Sequence, residues 1–185
     1  DEYFTLPLKK DSDYLDVNAR FLSDSWAEEK SKTLRKIKEN YKKAPNFADF
    51  YPILEEIFKY PNHNLFEFIF YSLNKLLKIL DIKTEIIVSS KLPIDHSLKG
   101  QNKVIEICKT LNANHYINPI GGLELYDQQA FGDIELSFLR ANSIEYPQFT
   151  GPFMPFLSIM DIMMFNDIDS TKALLNEFIL QKNIG

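Results

Sequence analysis

A chain of 185 residues with 45% apolar and 14% aromatic content is long enough to bury one sizeable core, and a single domain over 1–185 is expected. A net charge of −5, with acidic and basic residues mixed along the chain, leaves no footprint for nucleic acid; the lysines between Lys30 and Lys43 read as the solvated face of a helix. The lone Cys108 excludes an intrachain disulfide and fits a reducing compartment, so with no visible signal peptide or spanning segment the expected location is cytoplasmic.

The chain starts at Asp1 without a methionine and almost at once enters the strand-like Tyr3 to Leu8, which suggests that something is missing upstream. A turn at Lys9 to Asp13 and a second extended run, Tyr14 to Phe21, follow. Ser25 and Glu28 then have the form of a capping box, and Trp26, Lys30, Leu34, Ile37 and Tyr41 recur at helical spacing until Ala44-Pro45 closes the helix. The next helix opens near Asn46 or Asp49, tolerates Pro52 in its first turns, and presents Phe50, Leu54, Ile57 and Phe58 on one side. Leu65 to Leu80 is shorter than the roughly 20 residues of a membrane span and carries Glu67, Lys75 and Lys78, so it reads as a buried core helix.

Beyond residue 81 strands alternate with helices: strand Thr84 to Val88, helix Gln101 to Leu111, strand His115 to Asn118, a short helix near Leu123 to Ala130, and strand Ile134 to Leu139. The last helices begin near Pro155 and Ser170. This alternation predicts an α/β fold with a mainly parallel sheet covered by helices, Rossmann-like and three-layered, with a helical insertion at about 22–80.

Open parallel sheets bind ligands beyond the carboxyl ends of their strands. Ser89 and Ser90, the turn at Gly121 and Gly122, and Arg140 each follow a predicted strand, and Lys99 precedes a helix at the same rim. Hydroxyls, free N–H groups and cations are the groups that hold a phosphate or carboxylate. Each also has a plainer role in a turn, and neither GxGxxG nor Walker spacing is present. The histidines at 63, 96 and 115 lack ligand spacing, so no metal is expected, and Cys108 lies on an apolar helix face where a thiol is a poor nucleophile.

The stretch from Tyr146 to Asp167 sets a Pro/Gly-rich loop against an apolar run holding one carboxylate, Asp161. Burial without a partner is costly for an ionised group, so Asp161 is either a satisfied structural anchor, the commoner case, or a tuned catalytic acid or base. It is expected on the helix starting near Pro155, with Ser158, Tyr146 or Gln148 as its polar partner.

Several segments in order carry a family likeness: Phe4 to Leu8, Trp26 and the helix running to Phe47, Tyr51 to Ile57, Ser89-Ser90, Val104 to Cys108, Gly121-Gly122 with Tyr126, and Tyr146-Pro-Gln148 leading to Asp161. Their order and spacing resemble the WbqC-like family over most of the chain. The resemblance implies surface-polysaccharide biosynthesis, O-antigen clusters especially, and transfer of glycine or a similar acyl unit to an amino sugar. It also implies an amino-sugar nucleotide as substrate and ATP or another activated acyl donor, with Asp161 as base or base-orienting group. Tyr126, Arg140 and Gln148 would then orient the sugar nucleotide. The alternative is a non-catalytic nucleotide-sugar-binding or scaffold protein of a polysaccharide assembly system. The family's opening strand-helix-strand portion has no counterpart here, Lys30 stands where relatives have histidine, and Lys99-Gly100 and Asn118-Pro119 replace hydroxyl-bearing steps. Oligomeric state has no signal in the sequence.

Overall fold

The computed structural model describes residues 3–182, which form two compact units. The first takes the chain up to Lys83 together with Ile144–Leu174; the second takes Thr84–Ser143 and the stretch from Leu175.

The first unit is helical. Helix α1 spans Trp26–Tyr41, α2 Phe47–Phe58, α3 Leu65–Ile79, α6 Ile159–Phe165 and α7 Ile168–Leu174. Among the described residues the predicted N-terminal strands do not form; Val17–Ala19 make one 3-10 turn, and isolated antiparallel bridges join Leu8 to Leu22 and Phe21 to Asn64. The capping box is also absent, because Ser25 is already in helical geometry and its hydroxyl bonds Ser23 Oγ at 2.7 Å. Asn64 does cap α3, accepting the Glu67 N–H at 3.2 Å.

Two apolar clusters hold this unit. Ile37, Phe50, Leu54, Met163 and Met164 lie in one, while Leu22, Trp26, Ile57, Leu65 and Phe68 form the other, where the Trp26 ring meets Phe68 edge-on. Helix α3 buries only Leu65 and Phe68 and leaves Ile69 and Leu73 exposed, so the expected fully buried helix is an amphipathic one with a wet outer face. Asn46, between α1 and α2, ties α2 to α6. Its N–H donates to the Met164 carbonyl at 3.0 Å, and its amide to the carbonyls of Met163 and Asn166 at 2.9 Å each. These bonds satisfy helix-end carbonyls that would otherwise lack partners.

The second unit is a small α/β assembly: helix α4 at Gly100–Thr110, strand β1 at His115–Pro119, the short helix α5 at Gln128–Phe131, strand β2 at Glu135–Ala141 and strand β3 at Phe178–Lys182. The strand order is β1-β2-β3. β1 runs parallel to β2 with His115 opposite Glu135, and β2 runs antiparallel to β3 with Leu139 opposite Leu180. The parallel pair needs a crossover, which the 3-10 turn at Ile120–Leu125 and α5 provide. Ile105, Cys108, Phe131, Ile134, Leu136 and Phe138 make its core.

The chain is therefore mixed α/β with a small three-stranded sheet, one pair parallel and one antiparallel, where the sequence predicts a mainly parallel one. Thr84 to Val88 is not a strand and lies outside the sheet; Ile86 and Val88 are half-buried between exposed neighbours, an alternation that mimics a strand without a ladder partner. The third strand is instead β3, whose five residues are all exposed, so no burial alternation announces it.

Candidate functional site

Asp161 is buried, at 4% exposure. The helix that carries it starts later than Pro155 suggests, at Ile159, because Ser158 is its N-cap and accepts the Met160 N–H on its hydroxyl at 3.2 Å. Ser158 is thus not the partner of the Asp161 carboxylate; its carbonyl accepts the Asp161 N–H at 3.0 Å.

Three donors converge on that carboxylate. Tyr41, at the end of α1, donates to Oδ1 at 2.7 Å. Tyr146 donates to Oδ2 at 2.6 Å, and Gln148 Nε2 reaches the same oxygen at 3.0 Å. Bonds to an ionised acceptor are short and strong, and these three supply the compensation a buried carboxylate requires. They also join parts of the chain 120 residues apart. Burial, followed by the bond to Asp161, pushes both the Tyr41 and Tyr146 phenols well above the ordinary tyrosine range. Both therefore remain neutral donors at physiological pH.

Gln148 has a second task. Its Oε1 accepts the Met154 N–H at 2.9 Å and its Nε2 donates to the Met154 carbonyl at 3.1 Å, so one amide clasps the Pro/Gly-rich loop to the carboxylate. Within that loop Gly151 takes a φ of 133° and Phe156, a non-glycine, a φ of 58°. Left-handed geometry at an aromatic residue is unusual and costs on the order of 1 kcal/mol or more.

Asp161, Tyr41 and Gln148 line a cavity of about 1100 Å³ in this unit. Asn40, Ser72 and Thr150 add polar atoms to a wall that is otherwise mostly aromatic and aliphatic. Its carboxylate keeps capacity for a further hydrogen bond on Oδ1, which accepts one bond against two on Oδ2. Chemically the cluster can fix a polar group at a mostly apolar wall, or hold a proton-accepting oxygen beside one.

The other sequence candidates belong to the second unit. Ser89 and Ser90 sit on an exposed single turn, Ser89–Lys91. Lys99 occupies the N-cap position of α4 with an extended backbone and no capping bond, and Gly100 follows at a φ of 53°, which explains a glycine there. Gly121 and Gly122 lie in the 3-10 turn after β1 and differ in kind. A side chain on Gly121 would meet open space, whereas one on Gly122 would overlap the Asn118 amide and press on the Tyr126 ring. Tyr126 packs edge-on against Tyr116 and Phe131. Arg140 is exposed, one residue past the last β1–β2 partner pair, Pro119 with Leu139, so the register brings it to the sheet edge from which the glycine turn departs.

Sequence reasoning brought Tyr146 and Gln148 to Asp161 but missed Tyr41, which it read as one apolar position of a helical stripe. The signal available was its place at the end of α1, in Asn40-Tyr-Lys-Lys-Ala-Pro45, where a ring can leave the stripe. Among the described residues no cluster of histidine, cysteine and carboxylate side chains suits a metal ion, and no helix is long and apolar enough to cross a membrane.

No curated protein and no solved structure matches the chain. The WbqC-like protein family matches residues 1–173 of the 185, with the Asp161 cluster inside the matched span, and the chain belongs to that family.

Proposed function

We propose that this chain acts in surface-polysaccharide biosynthesis as a transferase, joining glycine or a similar acyl group to the amine of an amino sugar, with Asp161 at the acceptor amine. The observation that carries this reading is a buried carboxylate held by Tyr41, Tyr146 and Gln148 at the wall of a cavity. Amide formation needs a neutral amine, and its nitrogen must lose a proton as the N–C bond forms and the donor's leaving group departs. A positioned carboxylate that takes such a proton contributes on the order of 10²–10⁴-fold. Oδ1 accepts one hydrogen bond and Oδ2 two, so Oδ1 keeps the larger acceptor capacity.

One observation favours the alternative of a nucleotide-sugar-binding or scaffold protein: both oxygens of the Asp161 carboxylate already accept hydrogen bonds, three in all, as in a structural anchor. Incubation with amino-sugar nucleotides, glycine and ATP, followed by mass spectrometry of the sugar, separates the two. A mass gain that disappears in Asp161→Asn while the variant stays folded supports transfer. Binding of the nucleotide sugar with no mass gain from any donor refutes it and supports the scaffold.

A further inference from the structure

The cavity of the first unit has a composition that limits what can enter it. Its wall is mostly aromatic and aliphatic, contributed by α1, α2, α3, α6 and the loop after Gln148. Among the described residues that line it there is no lysine, arginine or histidine, and the one carboxylic acid is Asp161. A phosphate or carboxylate entering there would lose its hydration without gaining a cationic partner and would face a carboxylate, whereas an ammonium or hydroxyl would find an acceptor at Oδ1.

The mouth of the cavity points the same way. Phe156 lines it while 94% exposed and in left-handed backbone geometry, and Tyr3, Phe4, Phe149 and Met154 line it with large exposed fractions. Exposing aromatic and methionine side chains together, one of them on a strained backbone, is unfavourable in water and offsets itself only when apolar surface covers them. A volume of about 1100 Å³ is at the upper end of small-molecule sites, enough for a chain as well as a polar end.

We propose that this cavity binds a molecule with an apolar chain and a cationic or uncharged polar end, the polar end at Asp161 and the chain running out past Phe156. Anionic ends are rejected. The inference does not rest on the transferase reading and differs from it in what lies at Asp161, an apolar chain with a polar end and not an amino sugar, so chain-dependent binding and a mass gain on a sugar are separate outcomes.

Three probes with one eight-carbon chain test it: n-octylamine, 1-octanol and octanoate, each titrated calorimetrically into the full chain below its aggregation limit at neutral pH. The expected order is octylamine tightest, octanol next, and octanoate at least tenfold weaker than octylamine. Ser72→Trp, which fills the cavity from α3, should weaken octylamine at least tenfold, and Asp161→Asn should bring octylamine and octanol to within about threefold. Should either variant fail to fold, Phe156→Ala removes a side chain that is almost wholly in solvent and should weaken all three probes several-fold without a change in melting temperature. Octanoate binding as tightly as octylamine, or no binding by any probe, overturns the proposal. So does glucosamine, which lacks the chain, binding as tightly as octylamine.

Discussion

Replacing Asp161 by asparagine and by alanine separates the charge of this side chain from its hydrogen bonds. Asparagine fits the same space and can satisfy every neighbour. Its oxygen turned toward Tyr146 and Gln148 accepts from both, and its NH₂ turned toward Tyr41 donates to a phenol whose hydroxyl rotates to accept. What is lost is the ionic part of three bonds, about 1 kcal/mol each, partly offset because a neutral amide is easier to bury. A net loss of about 1–3 kcal/mol follows, and for a chain of this size about 2–4 °C in melting temperature accompanies each kcal/mol. Alanine instead leaves three donors without an acceptor at about 1–3 kcal/mol each, less whatever Tyr41 and Gln148 recover from water, for a total of roughly 3–6 kcal/mol. Urea unfolding followed by circular dichroism measures both. Equal losses in the two variants, or losses below about 0.5 kcal/mol in both, would refute the anchoring role of the carboxylate.

The two adjacent glycines should behave oppositely: Gly121→Ala is expected within about 0.5 kcal/mol of the parent, while Gly122→Ala must displace the Asn118 amide, break its bond from Tyr116 and cost about 1–2 kcal/mol by thermal unfolding. Equal tolerance at both positions would remove the packing role given to Gly122. Because the Tyr41 and Tyr146 phenols are raised in the folded chain, their contribution is complete below the ordinary tyrosine value of 10.0 and is lost as pH climbs from there toward the folded values. Phenolate absorbance against pH should therefore show these two ionising only with unfolding, and Tyr146→Phe should flatten the alkaline loss of stability. In acid the sign reverses at Glu56, whose carboxyl is held below the ordinary range by the Lys75 ammonium 2.5 Å away, aided by Tyr71. That contribution is present above the ordinary carboxylate value of 4.5 and fades as pH falls through the lower folded one, so Lys75→Ala should raise the Glu56 titration midpoint seen by NMR.

Helices α1 to α3 were legible because each carries an apolar stripe of the right period, and α1 and α2 are followed by breakers at Ala44-Pro45 and Pro61-Asn62. Strands β1 and β2 were legible because short apolar runs flank a crossover. The remaining strand elements were not, and the reasons differ. Thr84 to Val88 alternates like a strand but finds no neighbour, since pairing depends on another segment that local pattern does not reveal. β3 is exposed along its whole length, and only tertiary pairing with β2 makes it a strand. At the candidate site, Tyr146 and Gln148 were within loop reach of Asp161, whereas Tyr41 lies 120 residues away and no local rule connects the two.

The route of the chain sets an order of assembly. β2 is complete at Ala141, but its antiparallel neighbour is not made until residues 178–182, after the whole of 144–174 has been given to the other unit. During synthesis, then, β2 waits with one row of amides and carbonyls unpaired while the Tyr146–Asp161 contacts become available first. A nascent chain halted near residue 174 would present an open, apolar-flanked strand edge to its neighbours, the kind of surface on which chains associate wrongly.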